Sequence, residues 1–362
     1  MKKIAFTFMI TFMGVMFTNN MALATEERKE VDICCYSVGS IQYIWSAQHA
    51  KLINKYSKKI KATAAFCGAE AATVKLLGQD KTDFGELNAL ELEFAKRGEF
   101  FYQRFAEKSK AMFYDKIAQI WHQPYGSMMF FVLENSPVIT LADMKGRKAS
   151  LSSAACTIGP ICEMILEVHG LKAGKDYTKV HLSCGAGHAP NALADRTVDM
   201  FECNNPGRQP SVENLHIRNK VRRIPFAPGK LDEFFAYMDN KYGEGRHGLY
   251  KITVEKGRYG KNDMTPMDMD YVAYDLIMAT RRDKPEWIVY EYVKALFDNL
   301  DEFYEIGAYA KEITLEKAVQ HLHSEIPLHP GAARYFYEKG VLPKAFYKDL
   351  PNDIKDKIGY KD

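Results

Sequence analysis

Val31-Asp32-Ile33-Cys34-Cys35-Tyr36 opens the pattern that decides the fold. A short run rich in β-formers gives way to a turn at Gly39-Ser40, and a longer amphipathic stretch, Tyr43–Tyr56, follows it. The unit then repeats, with a strand at Ile60–Phe66, a helix at Glu70–Leu77 after the small residues Gly68-Ala69, and a strand at Asp83–Leu87. Strands alternating with helices predict a parallel sheet covered by helices, because a parallel crossover needs a helix-length connection.

Outward from this stretch, a second set of units follows. Met128–Leu133 is an apolar strand, Lys148–Ser152 another, and Gly159–His169 a helix. Strand Lys179–Leu182, helix Ala189–Asp195 and strands Val198–Phe201 and Val221–Ile224 complete that set. Glu233–Thr265, punctuated by Gly243, Gly245, Gly248, Gly257 and Gly260, reads as irregular chain wrapping the outside. A strand at Tyr271–Thr280 and helices at Pro285–Asp298, Leu315–Leu322 and Ala332–Lys339 bring the chain back. The expectation is an α/β protein of two lobes: 25–124 as the first part of lobe I, 125–226 as lobe II, and 227–362 returning to lobe I. A total of 362 residues exceeds the size at which one core usually stops growing.

The first 24 residues read as a cleavable export signal. Lys2 and Lys3 precede an apolar run from Ile4 to Phe17, and Ala22-Leu23-Ala24 offers a small-x-small cleavage site. The run is shorter than the ~20 residues that span a bilayer. The expected location is therefore the periplasm. The formal charge of +3 includes those two lysines, so the remainder is close to neutral. That balance excludes a strongly basic nucleic-acid-binding surface.

Seven cysteines follow the signal: Cys34, Cys35, Cys67, Cys156, Cys162, Cys184 and Cys203. An odd number leaves at least one thiol unpaired in an oxidising compartment. Cys34 and Cys35 alternate across a strand and do not pair with each other. A Cys156–Cys162 bridge is open, and small buried hydrophobes is the expected state of most. No Cys-x-x-Cys supports a redox role.

In such folds ligands collect beyond the carboxyl ends of strands, where helix N-termini present free N–H groups. The turns in question are 38–43, 67–73, 152–157 and 203–208. His321, His323, His329 and Glu325 crowd one segment, but His321 and His323 are poorly placed to converge from a helix end, so no metal and no cofactor is expected. Gly170–Asp176 is one residue short of a phosphate loop and carries Asp where Ser or Thr must meet magnesium. Cys184 and His188 lie four apart, with nothing to orient the histidine as a base.

The motif Ile326-Pro327-Leu328-His329-Pro330-Gly331-Ala332-Ala333-Arg334-Tyr335-Phe336 closely resembles the C-terminal signature of the TAXI family of TRAP-transporter extracytoplasmic solute receptors. Here Pro327 and Pro330 stiffen a turn, and Gly331 gives freedom where a helix starts. Leu141-Ala142-Asp143-Met144-Lys145-Gly146-Arg147-Lys148, Asp83-Phe84-Gly85 and Asn191-Ala192-Leu193 resemble other parts of that family. Its ligand loops are altered. Gly39-Ser40-Ile41-Gln42-Tyr43 keeps one glycine and one tyrosine, Glu70 stands for a serine and Thr73 for an asparagine in Gly68–Thr73, and Ala154-Ala155-Cys156-Thr157 replaces a glycine-serine-glycine loop.

The resemblance implies a two-lobed periplasmic-binding-protein fold of type II, with a ligand cleft between lobes. It implies a receptor without catalysis that captures a small organic acid or amino acid, glutamate- or 2-oxoglutarate-like, for TRAP membrane subunits. The contacts it points to are Gly39, Ser40, Tyr43, Gly68, Ala69, Glu70, Thr73, Asn88, Cys156, Thr157, Asn204 and Asn205. Glu70, Glu86 and Glu202 pull the other way, toward an amine-bearing or zwitterionic solute, unless Arg208 or another cation offsets them. Tyr43, Trp45, Trp121 and Tyr125 are aromatic candidates for a pocket wall, with core packing the plainer role. A ligand module for a sensor kinase and a periplasmic Cys/His enzyme are the alternatives.

Overall fold

The computed structural model describes residues 27–36, 38, 40–152, 156–184, 187–205, 209–244 and 246–361, with only the backbone of Pro124, Tyr125, Asn205, Ala308 and Tyr309. The expected signal therefore lies outside the described residues, as do Gly39 and Arg208. No described helix is long and apolar enough to cross a membrane.

Among the described residues, ten strands form one sheet: β1 (Lys29–Cys35), β2 (Ile60–Phe66), β3 (Phe84–Asn88), β4 (Ile117–Leu133), β5 (Lys148–Ser150), β6 (Thr178–Val180), β7 (Met200–Asn205), β8 (Val221–Arg223), β9 (Leu249–Val254) and β10 (Met269–Arg281). Their order is β2-β1-β3-β10-β4-β7-β5-β6, with β8 on β4 and β9 on β10. β1, β2 and β3 pair in parallel at one end, and β5, β6 and β7 in parallel at the other. Between them run the long antiparallel strands β4 and β10, common to both halves. The α/β expectation holds.

The helices begin where the sequence supplies caps. Ser40 accepts from the Tyr43 N–H to start the helix Ile41–Tyr56, and Asn88 accepts from the Glu91 N–H to start Ala89–Arg97. Gly85 lets the helix Glu70–Gly78 lie close on β3, since a Cβ there would sit 2.3 Å from the Thr73 γ-methyl.

Several expectations need correction. The first strand of the second set starts at Ile117, eleven residues early, and runs through Pro124. The proline is tolerated because the β4–β10 register shifts beside it, between Tyr274 and Asp275. Glu233–Thr265 is not irregular throughout. Helix Lys230–Tyr242 buries Leu231, Phe234, Met238 and Tyr242, and β9 follows. Gly229 and Gly243 bound that helix instead of breaking it.

Two disulfides form, Cys34–Cys67 and Cys184–Cys203, leaving Cys35, Cys156 and Cys162 free. The β1–β2 register sets the first, because Cys35 lies opposite Phe66 and the Cys67 N–H bonds to the Cys35 carbonyl at 2.9 Å. The open Cys156–Cys162 pairing is not made.

Gly331 also has another purpose than expected. It lies in the helix Pro330–Glu338, and a Cβ there would sit 2.2 Å from the Glu286 carbonyl oxygen. The glycine permits contact with the helix Glu286–Phe297. His329 caps the helix, its ring accepting from the Gly331 N–H at 3.2 Å.

Candidate functional site

Four glutamates come together where the carboxyl ends of β3 and β7 face the first turns of three helices. Glu70 starts the helix Glu70–Gly78, Glu86 lies on β3, Glu91 is in the first turn of Ala89–Arg97, and Glu202 lies on β7. Their exposures are 3%, 1%, 0% and 1%, respectively. Buried carboxylates are costly unless paired or hydrogen-bonded, so their partners decide what the site does.

Glu91 is satisfied. Tyr102 Oη donates to one oxygen and Thr157 Oγ1 to the other at 2.6 Å, which joins the first half of the sheet to the second. Glu70 makes a second join, accepting from the Cys156 thiol, the Thr157 N–H and its own N–H. Glu70 thus occupies helix-terminal donors that would otherwise be free for an anion.

The remaining oxygens are not satisfied. Glu70 Oε2, both oxygens of Glu86 and Glu202 Oε1 are buried without a hydrogen-bond partner. Asn88 Nδ2 and both amide atoms of Gln123, on β4 beside Glu86, are in the same state.

The electrostatics follow from burial. Loss of water pushes Glu86 up to about 8, with the Glu70 charge adding to it and Gln123 opposing. Glu202 is pushed up to about 8 by burial and then by Glu70. Glu91 reaches about 8 by burial, against the bonds from Thr157 and Tyr102. Burial also raises Glu70, opposed by the three donors it accepts from. Among the described residues, no lysine or arginine offsets Glu70, Glu86 or Glu202. Tyr36 and Tyr274 extend the wall, Tyr36 Oη donating to the Glu86 carbonyl at 2.6 Å and Tyr274 Oη bonding Asn204.

Of the residues expected from sequence, Glu70, Asn88, Cys156, Thr157 and Asn204 belong to this group. Ser40, at 5% exposure, spends its hydroxyl capping a helix. Thr73 is fully buried, its hydroxyl turned to the Ala69 carbonyl and Cys34, so it is core and not a contact. Gly68 (φ +111°) and Ala69 form the turn into the Glu70 helix. Tyr43 is half-buried on the helix after Ser40. Gly39 and the Asn205 side chain fall outside the described residues.

Trp121 is core, edge-on to His49 and Phe297, and Trp45 is buried. Glu86 and Glu202, the acids that pull toward an amine-bearing solute, are both buried. Glu91, Gln123, Tyr36 and Tyr274 had no sequence signal of function, since Asn88-x-x-Glu91 reads as an ordinary helix cap.

Two chemical readings change. Cys184 is bridged to Cys203, which removes the thiol that a Cys/His nucleophile would need. His321 does converge with other ligands, because tertiary structure brings it to His122 and Asp275 instead of to His323 or His329. That trio could hold a metal.

A family model described as NMT1-like family matches residues 33–340. Solved structures resemble the chain at low identity. The alkanesulfonate-binding protein SsuA from Xanthomonas axonopodis pv. citri, bound to MOPS, is 15% identical, over 88% of this chain and 96% of that one, with a TM-score of 0.45. The periplasmic aliphatic sulphonate binding protein SsuA from Escherichia coli is 15% identical over 90% and 92%, with a TM-score of 0.44. A binding protein component of an ABC phosphonate transporter from Pseudomonas aeruginosa is 11% identical over 82% and 80%, with a TM-score of 0.44.

Proposed function

We propose that this chain, which belongs to the NMT1-like family, is an exported solute receptor that closes on a small amine-bearing solute, cationic or zwitterionic. Residues 25–124 with the returning 227–362 act as one lobe and 125–226 as the other. The solute is released unchanged to a TRAP-type secondary transporter. The TRAP partner rests on the resemblance of the C-terminal signature and of segments 83–85, 141–148 and 191–193; the similar solved structures include a binding protein component of an ABC transporter.

The observation that carries the ligand class is the set of unpartnered oxygens on Glu70, Glu86 and Glu202, drawn from both halves and shut away from water. An ammonium group supplies three donors and a compensating charge. A dicarboxylate such as 2-oxoglutarate would add negative charge to this cluster, and Glu70 already takes the Thr157 N–H it would use. The sequence-based preference for an organic acid therefore gives way to its amine-bearing alternative. A zwitterionic amino acid fits only with its ammonium directed at the glutamates.

The two lobes make ligand-free contacts through Glu91–Thr157 and Glu70–Thr157, so closure is written into the same residues that line the cleft.

Thermal-shift and calorimetric titration with diamines, basic amino acids, glutamate and 2-oxoglutarate tests the reading. Binding of an amine should strengthen as pH rises from 6 to 8, because ionising Glu86 and Glu202 creates the charge it pairs with. A ligand at 100 times its Kd adds about 2.7 kcal/mol. Stabilisation by 2-oxoglutarate and none by any amine would refute the proposed ligand class.

A further inference from the structure

Away from the glutamate cluster, a pocket of about 530 Å³ opens beside Tyr250, Asp275, His321 and His323. At its inner edge lies a group drawn from three separate parts of the chain: His122 on β4, Asp275 on β10 and His321 just after the short helix Lys317–Gln320.

The geometry of His122 is the informative part. Its Nδ1 stands 2.9 Å from the Lys317 carbonyl oxygen, which can only accept, so Nδ1 carries the ring proton. Its Nε2 is left to face Asp275. That atom is buried and lies 2.6 Å from Asp275 Oδ2. This pair of atoms can share a proton or hold a metal ion between them. His321 Nδ1 approaches the same oxygen at 3.1 Å, and the donor atoms of all three residues lie within 4.8 Å of one another.

We infer that His122, Asp275 and His321 form a binding site for a divalent transition-metal ion with zinc's ligand preferences, its open coordination position facing the pocket. Two imidazoles and one carboxylate are a zinc-type donor set, whereas magnesium and calcium prefer oxygen alone. Tetrahedral zinc places its ligand atoms about 3.3 Å apart, so the two contacts to Asp275 need to open by less than about 1 Å. His321 is half-exposed and free to make that adjustment.

The outer shell is also in place. The Lys317 carbonyl fixes the His122 tautomer, and Tyr250 Oη donates to Asp275 Oδ1 at 2.7 Å. Glu93, Glu244 and Glu325 line the pocket against one arginine, Arg246, which favours entry of a cation. Asp275 sits at the register shift of the paired strands β4 and β10, so a bound ion would tie the C-terminal segment to the two strands that cross between the halves.

The test uses tag-free full-length protein stripped with a chelator, then titrated with Zn²⁺ and, separately, Co²⁺ and Mg²⁺ in a calorimeter. One Zn²⁺ per chain is expected, with a tetrahedral Co²⁺ absorption spectrum and no Mg²⁺ binding. His321→Ala, at a half-exposed position that leaves the fold intact, should weaken Zn²⁺ at least tenfold. His188→Ala, at an exposed position elsewhere, should not change it. Absence of saturable Zn²⁺ binding overturns the inference, as does one-site binding that survives unchanged in His321→Ala. Circular dichroism of each variant separates loss of the site from loss of the fold.

Discussion

Replacing Glu86 with glutamine keeps the size and shape of the side chain and removes its charge. In the folded protein burial holds this carboxyl at about 8, against an ordinary value of 4.5. Between those values the unfolded chain ionises Glu86 while the native state keeps the proton, so the unfolded state binds fewer protons and stability falls as pH rises. The stability is fully present below 4.5 and is lost progressively towards 8. At 1.36 kcal/mol per pKa unit, the loss from this residue is about 1 kcal/mol at pH 5, about 3 at pH 7 and about 4 at pH 8. Glu86→Gln has no such loss.

Urea denaturation of ligand-free wild type and variant at those three pH values is the assay. The difference in unfolding free energy should move in favour of the variant by roughly 3 kcal/mol from pH 5 to pH 8. Any constant offset from the amide itself cancels in that slope. The same variant should lose amine binding. A difference that stays flat with pH would refute the claim that Glu86 is buried without a cation.

Gly331→Ala should destabilise the protein by about 1–3 kcal/mol, since the added methyl would lie 2.2 Å from the Glu286 carbonyl and force the two helices apart. A unchanged urea midpoint would contradict that packing. The Cys34–Cys67 and Cys184–Cys203 bridges close spans of 33 and 19 residues, so on chain-entropy grounds removing each costs about 3–4 kcal/mol. Peptide mapping without reduction should recover these two pairs, and Cys34→Ser/Cys67→Ser should lower the melting temperature. Recovery of a Cys156–Cys162 peptide instead would contradict the structure.

Local periodicity was enough for the alternating strands and helices from Val31 to Leu87, because each such element depends on residues two to four apart. The caps at Ser40 and Asn88 and the turn at Gly68 are local in the same way, and so is the signature at 326–336. What local pattern misjudged was anything set by a distant neighbour. The strand expected from Met128 begins at Ile117, because β10 supplies a register shift beside Pro124, and Gly331 reads as a flexible start until Glu286 fills the space beside it.

The site divides on the same line. The sequence by itself determined that an acid, Glu70, stands in the turn after the second strand, where the receptor family it resembles has a serine. Only tertiary structure decided that Glu86 and Glu202 face inward, that Thr73 is core, that Thr157 spans to Glu91, and that His321 meets His122 and Asp275. The physical reason is that a carboxylate or imidazole takes its charge and partners from what surrounds it, and those surroundings come from distant segments: Asp275 is 46 residues from His321, and Thr157 is 66 from Glu91.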